Sequence, residues 1–155
     1  MEQGNSYPVI VNYGLSLEEM IRAGKYDYVD PNITTDYFSV EGEGIKKVML
    51  ELICFNRRIS SDDALSEFDK CKRRPAIIEE LLAFGAKYPE LQGQSMTIAL
   101  GSIICNHPRG FNVPYISASG TKLHMSGKRS PARMIIVCRH KGEWCDDALF
   151  LVARQ

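Results

Sequence analysis

The chain has 155 residues, 45% hydrophobic and 25% charged, which suits one globular domain with a real core and is too short for two comfortable ones. Its 19 Lys and Arg balance its 19 Asp and Glu, excluding a molecule-wide attraction to nucleic acid or anionic lipid. No stretch approaches the roughly 20 apolar residues of a membrane span, and MEQGNSYPVIVNYG has no basic segment leading into an apolar run. The expectation is therefore a single cytoplasmic domain over residues 1–155 with no membrane partner.

Residues 7–13, YPVIVNY, form a short β-rich run closed by Gly14 and predict a strand. Ser16 opens a helix: Glu19, three residues on, completes a capping box, Leu15 and Met20 occupy the staple positions, and Gly24 ends it. Residues 26–44 carry turn chemistry at Asp30-Pro31-Asn32 and at Gly42 and Gly44, predicting an ordered loop with one short strand. The acidic residues Asp27, Asp30, Asp36, Glu41 and Glu43 lack the alternate spacing and closing Glu of a calcium loop. KKVMLELICF, 46–55, is apolar on both faces except Glu51 and reads as a central strand buried between layers.

Ser60 or Ser61 caps a second helix with Asp62 and Asp63 in its first turn; Ala64, Leu65, Phe68 and Cys71 form its inner face. Pro75 is expected to open a third helix, in which Ile78, Leu81, Leu82 and Gly85 recur at helical spacing while Glu79 and Glu80 face water. After Pro89, SMTIALGSIIC, YISASGTKLHM, RMIIVCRH and DDALFLVARQ read as strands. They are separated by Asn106-His107-Pro108, Gly110, Gly120, Gly127 and Pro131. Helices in the middle and strands in the second half predict an α+β fold with a mostly antiparallel sheet.

The chemical motifs are sparse. GxGxxG, GK[ST], HExxH and paired CxxC are all absent, and His107, His124 and His140 have no His or Cys at zinc-finger spacing. Cys54, Cys71, Cys105, Cys138 and Cys145 are odd in number and partly set in apolar runs, as reduced core thiols would be. Cys138 and His140 share a strand face, an arrangement suited to a weak metal site or an activated thiol, although Cys138 also reads as plain core. GTKLHMSG and NHPRGFN read as surface turns, since neither adjoins a helix start. The C-terminal quarter is locally basic through Lys122, Lys128, Arg129, Arg133, Arg139, Lys141 and Arg154 against Glu143, Asp146 and Asp147. Trp144, in the polar run KGEWCDD, is either a cap on the core edge or an aromatic anchor at a binding surface.

The helix pair ISSDDALSEFDKCKRRPAIIEELLAFGA resembles the core signature of the formylglycine-generating-enzyme branch of the C-type lectin-like fold. There an acid-capped helix passes through a basic turn into an R-L-P-T-E-x-E-W-E helix. Arg74-Pro75, Glu79, Glu80, Leu82 and Phe84-Gly85-Ala86 echo that second helix, and FLVARQ resembles the branch's terminal F-R-V-x-R strand; Ala76 replaces the capping Thr. The branch includes variable proteins diversified by retroelements, whose ligand-binding residues lie just upstream of that strand. Ala99-Leu100-Gly101-Ser102, Trp144 and 150–154 are also similar to short bacterial proteins with an ALGS strand and a Trp before a FLAVR-like end.

The resemblance implies a C-type lectin-like domain acting as a non-catalytic ligand- or protein-binding module without a cofactor. Its recognition surface would be 138–148, CRHKGEWCDDA, with Cys138, Arg139, His140, Lys141, Trp144, Cys145, Asp146 and Asp147 as ligand-binding residues able to donate, accept and stack. The alternatives are a copper- and thiol-dependent oxidase of the formylglycine-generating type using Cys138 and Cys145, which here have six residues between them, and a nucleic-acid-binding domain using the basic quarter.

Overall fold

The computed structural model describes residues 5–35, 38, 40, 42–102, 104–107, 110–123, 125–140 and 142–155; the side chains of 104–107, 110, 111, 120–123, 139 and 140 lie outside that description. In chain order the elements are β1 (Ser6–Asn12), α1 (Leu17–Ala23), β2 (Tyr28–Val29), β3 (Ile45–Ile53), β4 (Ile59–Ser60), α2 (Ser61–Lys70), β5 (Arg73–Pro75) and α3 (Ile78–Lys87). There follow β6 (Thr97–Ile98), β7 (Ile104–His107), β8 (Gly110–Leu123), β9 (Arg129–His140), β10 (Glu143–Trp144) and β11 (Leu149–Arg154). The architecture is α+β. Among the described residues nine strands join one sheet, ordered β1-β3-β11-β6-β8-β9-β2 with β5 beside β11 and β7 beside β8, antiparallel except at β11–β6 and β2–β9.

The last strand is the axis of that sheet. β11 pairs with β3 along one side and with β6 and then β5 along the other. Phe150, Leu151, Val152 and Ala153 are consequently at most 1% exposed, and each of the larger three contributes about 1.5–3 kcal/mol by leaving water. Their alternation feeds two cores. Leu151 and Ala153 face Leu50, Val9, Val11 and the inner sides of α1 and α3; Phe150 and Val152 face Ile53, Ala64 and Phe68 of α2 and Trp144.

Helix starts follow local chemistry where it is available. Ser16 Oγ accepts the Glu19 amide at 3.1 Å, and Ser60 Oγ accepts the Asp63 amide at 3.1 Å. The third helix departs from the sequence expectation. Pro75 does not open it but ends β5, opposite Val152, and α3 begins at Ile78. The cap comes from a distant segment: Ser102 Oγ accepts the Ile78 amide at 2.7 Å, while Glu80 Oε1 accepts the Ile77 amide at 3.0 Å. Ala76, whose side chain cannot cap, is thus relieved of the task. The same contact breaks the strand expected over SMTIALGSIIC, because β6 stops at Ile98 and the Gly101 amide turns to bond Ala76 O at 2.8 Å. A Cβ on Gly101 would stand 2.6 Å from that oxygen, so the ALGS glycine marks a close approach of two backbones.

Glu79 and Glu80 do not face water; they are 3% and 0% exposed. Glu80 is held by a two-armed bond from Arg74, Nη1 to Oε1 at 2.8 Å and Nη2 to Oε2 at 2.6 Å, which makes burial of the carboxylate tolerable. β3 is enclosed only where β11 accompanies it: Leu50 and Ile53 are buried, while Ile45, Lys46, Lys47 and Met49 are exposed. In the acidic loop, Asp30 accepts the amides of Asn32 and Val137, and Asp27 that of Arg133, so these carboxylates fasten the loop to β9. Asp36 and Glu41 lie outside the described residues. Gly120–Leu123 of GTKLHMSG extend β8 instead of turning.

Candidate functional site

The β3–β11 ladder runs to the pair Phe150↔Ile53, and a separate two-stranded ladder joins Trp144↔Ile59 and Glu143↔Ser60. Both lie in one register: equal lengths of chain, 54–58 and 145–149, separate the paired residues on the two sides. The ladder therefore parts into two facing rims and closes again.

One rim carries Asn56, Arg57 and Arg58, all exposed; the other carries Cys145, Asp146 and Asp147, also exposed. The second rim is a turn, closed by the Ala148 amide on Cys145 O at 3.2 Å. The opening is built, not slack. Asn56 takes a positive φ of 56°, the Cys54 thiol donates to Asp146 O at 3.5 Å, and Ser95 Oγ donates to Asp147 Oδ2 at 3.3 Å. The Arg57 guanidinium lies 5.9 Å from the Phe55 ring centre, and Phe55 in turn packs on Phe68 and Phe150.

The expected recognition residues divide sharply. Trp144 is not a surface anchor: it is 2% exposed, meets Phe150 edge-on and donates Nε1–H to Ser61 Oγ at 2.8 Å. Its polar neighbours misplace it, because β10 turns one residue of KGEWCDD inward against α2. Cys145, Asp146 and Asp147 are presented outward, whereas Cys138 sits half-buried in β9 opposite Val113 and packs on the Phe150 core. The backbones of Arg139 and His140 continue β9 opposite Asn112 and Phe111; their side chains, together with those of Cys105 and His107 and the whole of Lys141 and His124, lie outside the described residues. Sequence reasoning missed the rim at 56–58. Two adjacent arginines in FNRRIS were the available signal, but only the strand pairs flanking both segments bring them beside 145–147.

The surroundings of Cys138 and Cys145 favour their neutral thiols. Burial pushes the Cys138 thiol up, and desolvation followed by the neighbouring Asp147 carboxylate pushes the Cys145 thiol up. A nucleophilic cysteine is favoured by the opposite shift. Cys54, Cys71, Cys138 and Cys145 are free thiols; none of these four is fully buried. Among the described residues no three His, Cys, Asp or Glu side chains gather as a metal-binding group.

The basic C-terminal quarter is partly spent on the fold. Arg133 donates Nη1–H to Gly24 O and Nη2–H to Gly85 O at 2.6 Å each and Nε–H to Gln92 Oε1 at 3.0 Å, with its guanidinium 5.0 Å from the Tyr26 ring centre. The Tyr26 ring lies where a Cβ on Gly24 would be and its hydroxyl where a Cβ on Gly85 would be, so both glycines seat it, and burial holds its hydroxyl well above the usual phenol range. Arg154 donates to Glu51 Oε1 at 3.0 Å. Lys128 and Arg129 remain exposed at the β8–β9 turn.

Compared with known proteins, the chain matches no family model, no curated protein and no solved structure.

Proposed function

We propose that this chain is a non-catalytic binding module of C-type lectin-like fold, related to the retroelement-diversified variable proteins, and that its recognition surface is the parted ladder formed by 54–58 with 145–148. The observation carrying this reading is that exposed guanidinium, amide, thiol and carboxylate groups stand on two rims whose backbone is fixed at both ends by buried strand pairs. Side chains so mounted can be exchanged without disturbing a core, which an adaptable surface requires. A protein or small-molecule ligand is the expected partner, with donors offered from one rim and acceptors from the other. No helix among the described residues is long and apolar enough to cross a membrane, and free thiols fit a cytoplasmic setting. The separate settings of Cys138, half-buried in β9 opposite Val113, and Cys145, exposed beyond β10, favour this reading over copper-dependent oxidation, and the internal engagement of Arg133 and Arg154 favours it over nucleic-acid binding.

The test is to select peptides from a random display library against the protein and then replace Arg57, Arg58, Asp146 and Asp147 together by serine. Selected binders should be lost while unfolding free energy changes by less than about 1 kcal/mol, as at exposed positions. Binders indifferent to the replacement, or a variant that unfolds, would overturn the assignment.

A further inference from the structure

β1 is the edge of the sheet, and its free side is not blunted along its whole length. The Tyr13 amide bonds to Gly44 O in the β1–β3 ladder, so the odd-numbered residues of β1 direct their backbone groups to β3 and Pro8, Ile10 and Asn12 direct theirs outward. Two of those three positions are closed. Pro8 has no amide hydrogen, and its carbonyl accepts from Lys87 Nζ and Tyr88 Oη at 2.7 Å each; the Asn12 carbonyl accepts the Leu15 amide at 3.2 Å. At Ile10 both the N–H and the C=O stay available among the described residues. Its side chain is 65% exposed, in a strand, SYPVIVN, that carries no charge to repel a neighbouring chain.

Beside this edge lies a cleft of about 330 Å³ between β1, α1 and α3, walled by Ile10, Met20, Ala23, Leu82 and Ala83 with Lys87 at its mouth. Glu79 also lines it and is engaged within the protein. From these features we infer that β1 and the cleft form a second binding site, for an extended segment of another protein that joins the sheet antiparallel to β1. The segment's central residue exchanges both backbone hydrogen bonds with Ile10 and lies on the outer face beside it. Its two neighbours point to the helix side, where the one opposite Val11 fills the cleft and is apolar. The other neighbour, opposite Val9, also lies on the helix side, where the exposed Lys87 ammonium at the mouth of the cleft favours a carboxylate. The occupant is thus an apolar strand with an acidic residue immediately after its central position, a composition complementary to an uncharged edge beside the Lys87 cation.

The experiment titrates isotope-labelled full chain with acetyl-Thr-Val-Leu-Asp-Thr amide, following backbone amides and methyl groups by NMR. Saturable shifts are expected at the Ile10 amide and at the Met20, Leu82 and Ala83 methyls. Ile10→Pro removes the outward amide hydrogen at a position that β3 does not use, and Ala23→Trp fills the cleft from an exposed helix position; each should weaken binding about tenfold or more, as should Lys in place of the peptide's Asp. The inference falls if the peptide shifts none of these resonances. It falls equally if hexanol competes fully and Ile10→Pro binds the peptide normally, which would make the cleft a pocket for small apolar molecules. Shifts that track protein concentration without peptide, with a dimer in sedimentation, would give the edge to a second copy and also overturn it. None of these outcomes involves residues 54–58 or 145–148.

Discussion

The N-terminal end of α3 and the parted ladder both place charge beside β11, and they treat it in opposite ways. At α3 the carboxylate of Glu80 is fully buried, and two arms of Arg74 and the Ile77 amide converge on it, while Ser102 supplies the neighbouring cap. At the rims, Arg57, Arg58, Asp146 and Asp147 stand in water on a backbone held by the strand pairs to either side. The difference separates charge that specifies one packing from charge that is free to meet something else. A buried ion must be matched group by group or it destabilises the fold, whereas an exposed one costs little and constrains nothing.

The comparison breaks most visibly at Trp144, which belongs to the rim segment by sequence and to the scaffold by burial. Trp144→Ala empties a space against Phe150 and leaves Ser61 Oγ without its indole donor, so a loss of about 3–5 kcal/mol in chemical denaturation is expected. A loss below about 1 kcal/mol would return Trp144 to the recognition surface. The next effect is at the other pole. Arg74→Ala strands the Glu80 carboxylate in the core and should cost about 3 kcal/mol, with part regained when Glu80→Leu is added, because removing both ions spares their desolvation. If the double variant is less stable than Arg74→Ala alone, Glu80 acts chiefly as the acceptor for the Ile77 amide and not as the counter-ion of Arg74.

What the sequence made legible follows the range of the forces involved. Ser16 and Ser60 were readable as caps because acceptor and amide are three residues apart, and the α+β class was readable from runs of period. Pro75 was misread because a helix-start proline and the last residue of a short strand look alike until β11, far along the chain, pairs with it. Glu79 and Glu80 were placed in water because periodicity shows which side of a helix is apolar, not that an Arg six residues before Glu80 makes a buried carboxylate acceptable. Asp146 and Asp147 could be nominated from composition, but Asn56–Arg58 could not. Only the pairs Ile53↔Phe150 and Ile59↔Trp144, far apart in sequence, bring those segments side by side.

The smallest expected effect sharpens the comparison at a site between the two extremes. Glu51 is 8% exposed and lies on β3 opposite Val152, with Arg73 donating Nε–H at 2.7 Å and Nη2–H at 3.3 Å and Arg154 donating Nε–H at 3.0 Å. Burial alone would raise its carboxyl, but the hydrogen bonds and charges of the two arginines more than offset this and hold it below its ordinary value of 4.5. A folded-state value below the unfolded one means that the stabilisation is fully present above the ordinary carboxylate range and disappears as the pH falls through the folded value. Wild type and Glu51→Gln should therefore differ by about 1 kcal/mol at pH 7, the scale of a partly exposed pair, and converge in acid. Glu67, paired with Lys70 on the exposed side of α2, provides the contrast: Glu67→Gln should show a smaller gap at pH 7. Equal, pH-independent gaps for the two variants would mean that the arginines around Glu51 contribute packing alone, placing the charges along β11 nearer to the rims than to α3.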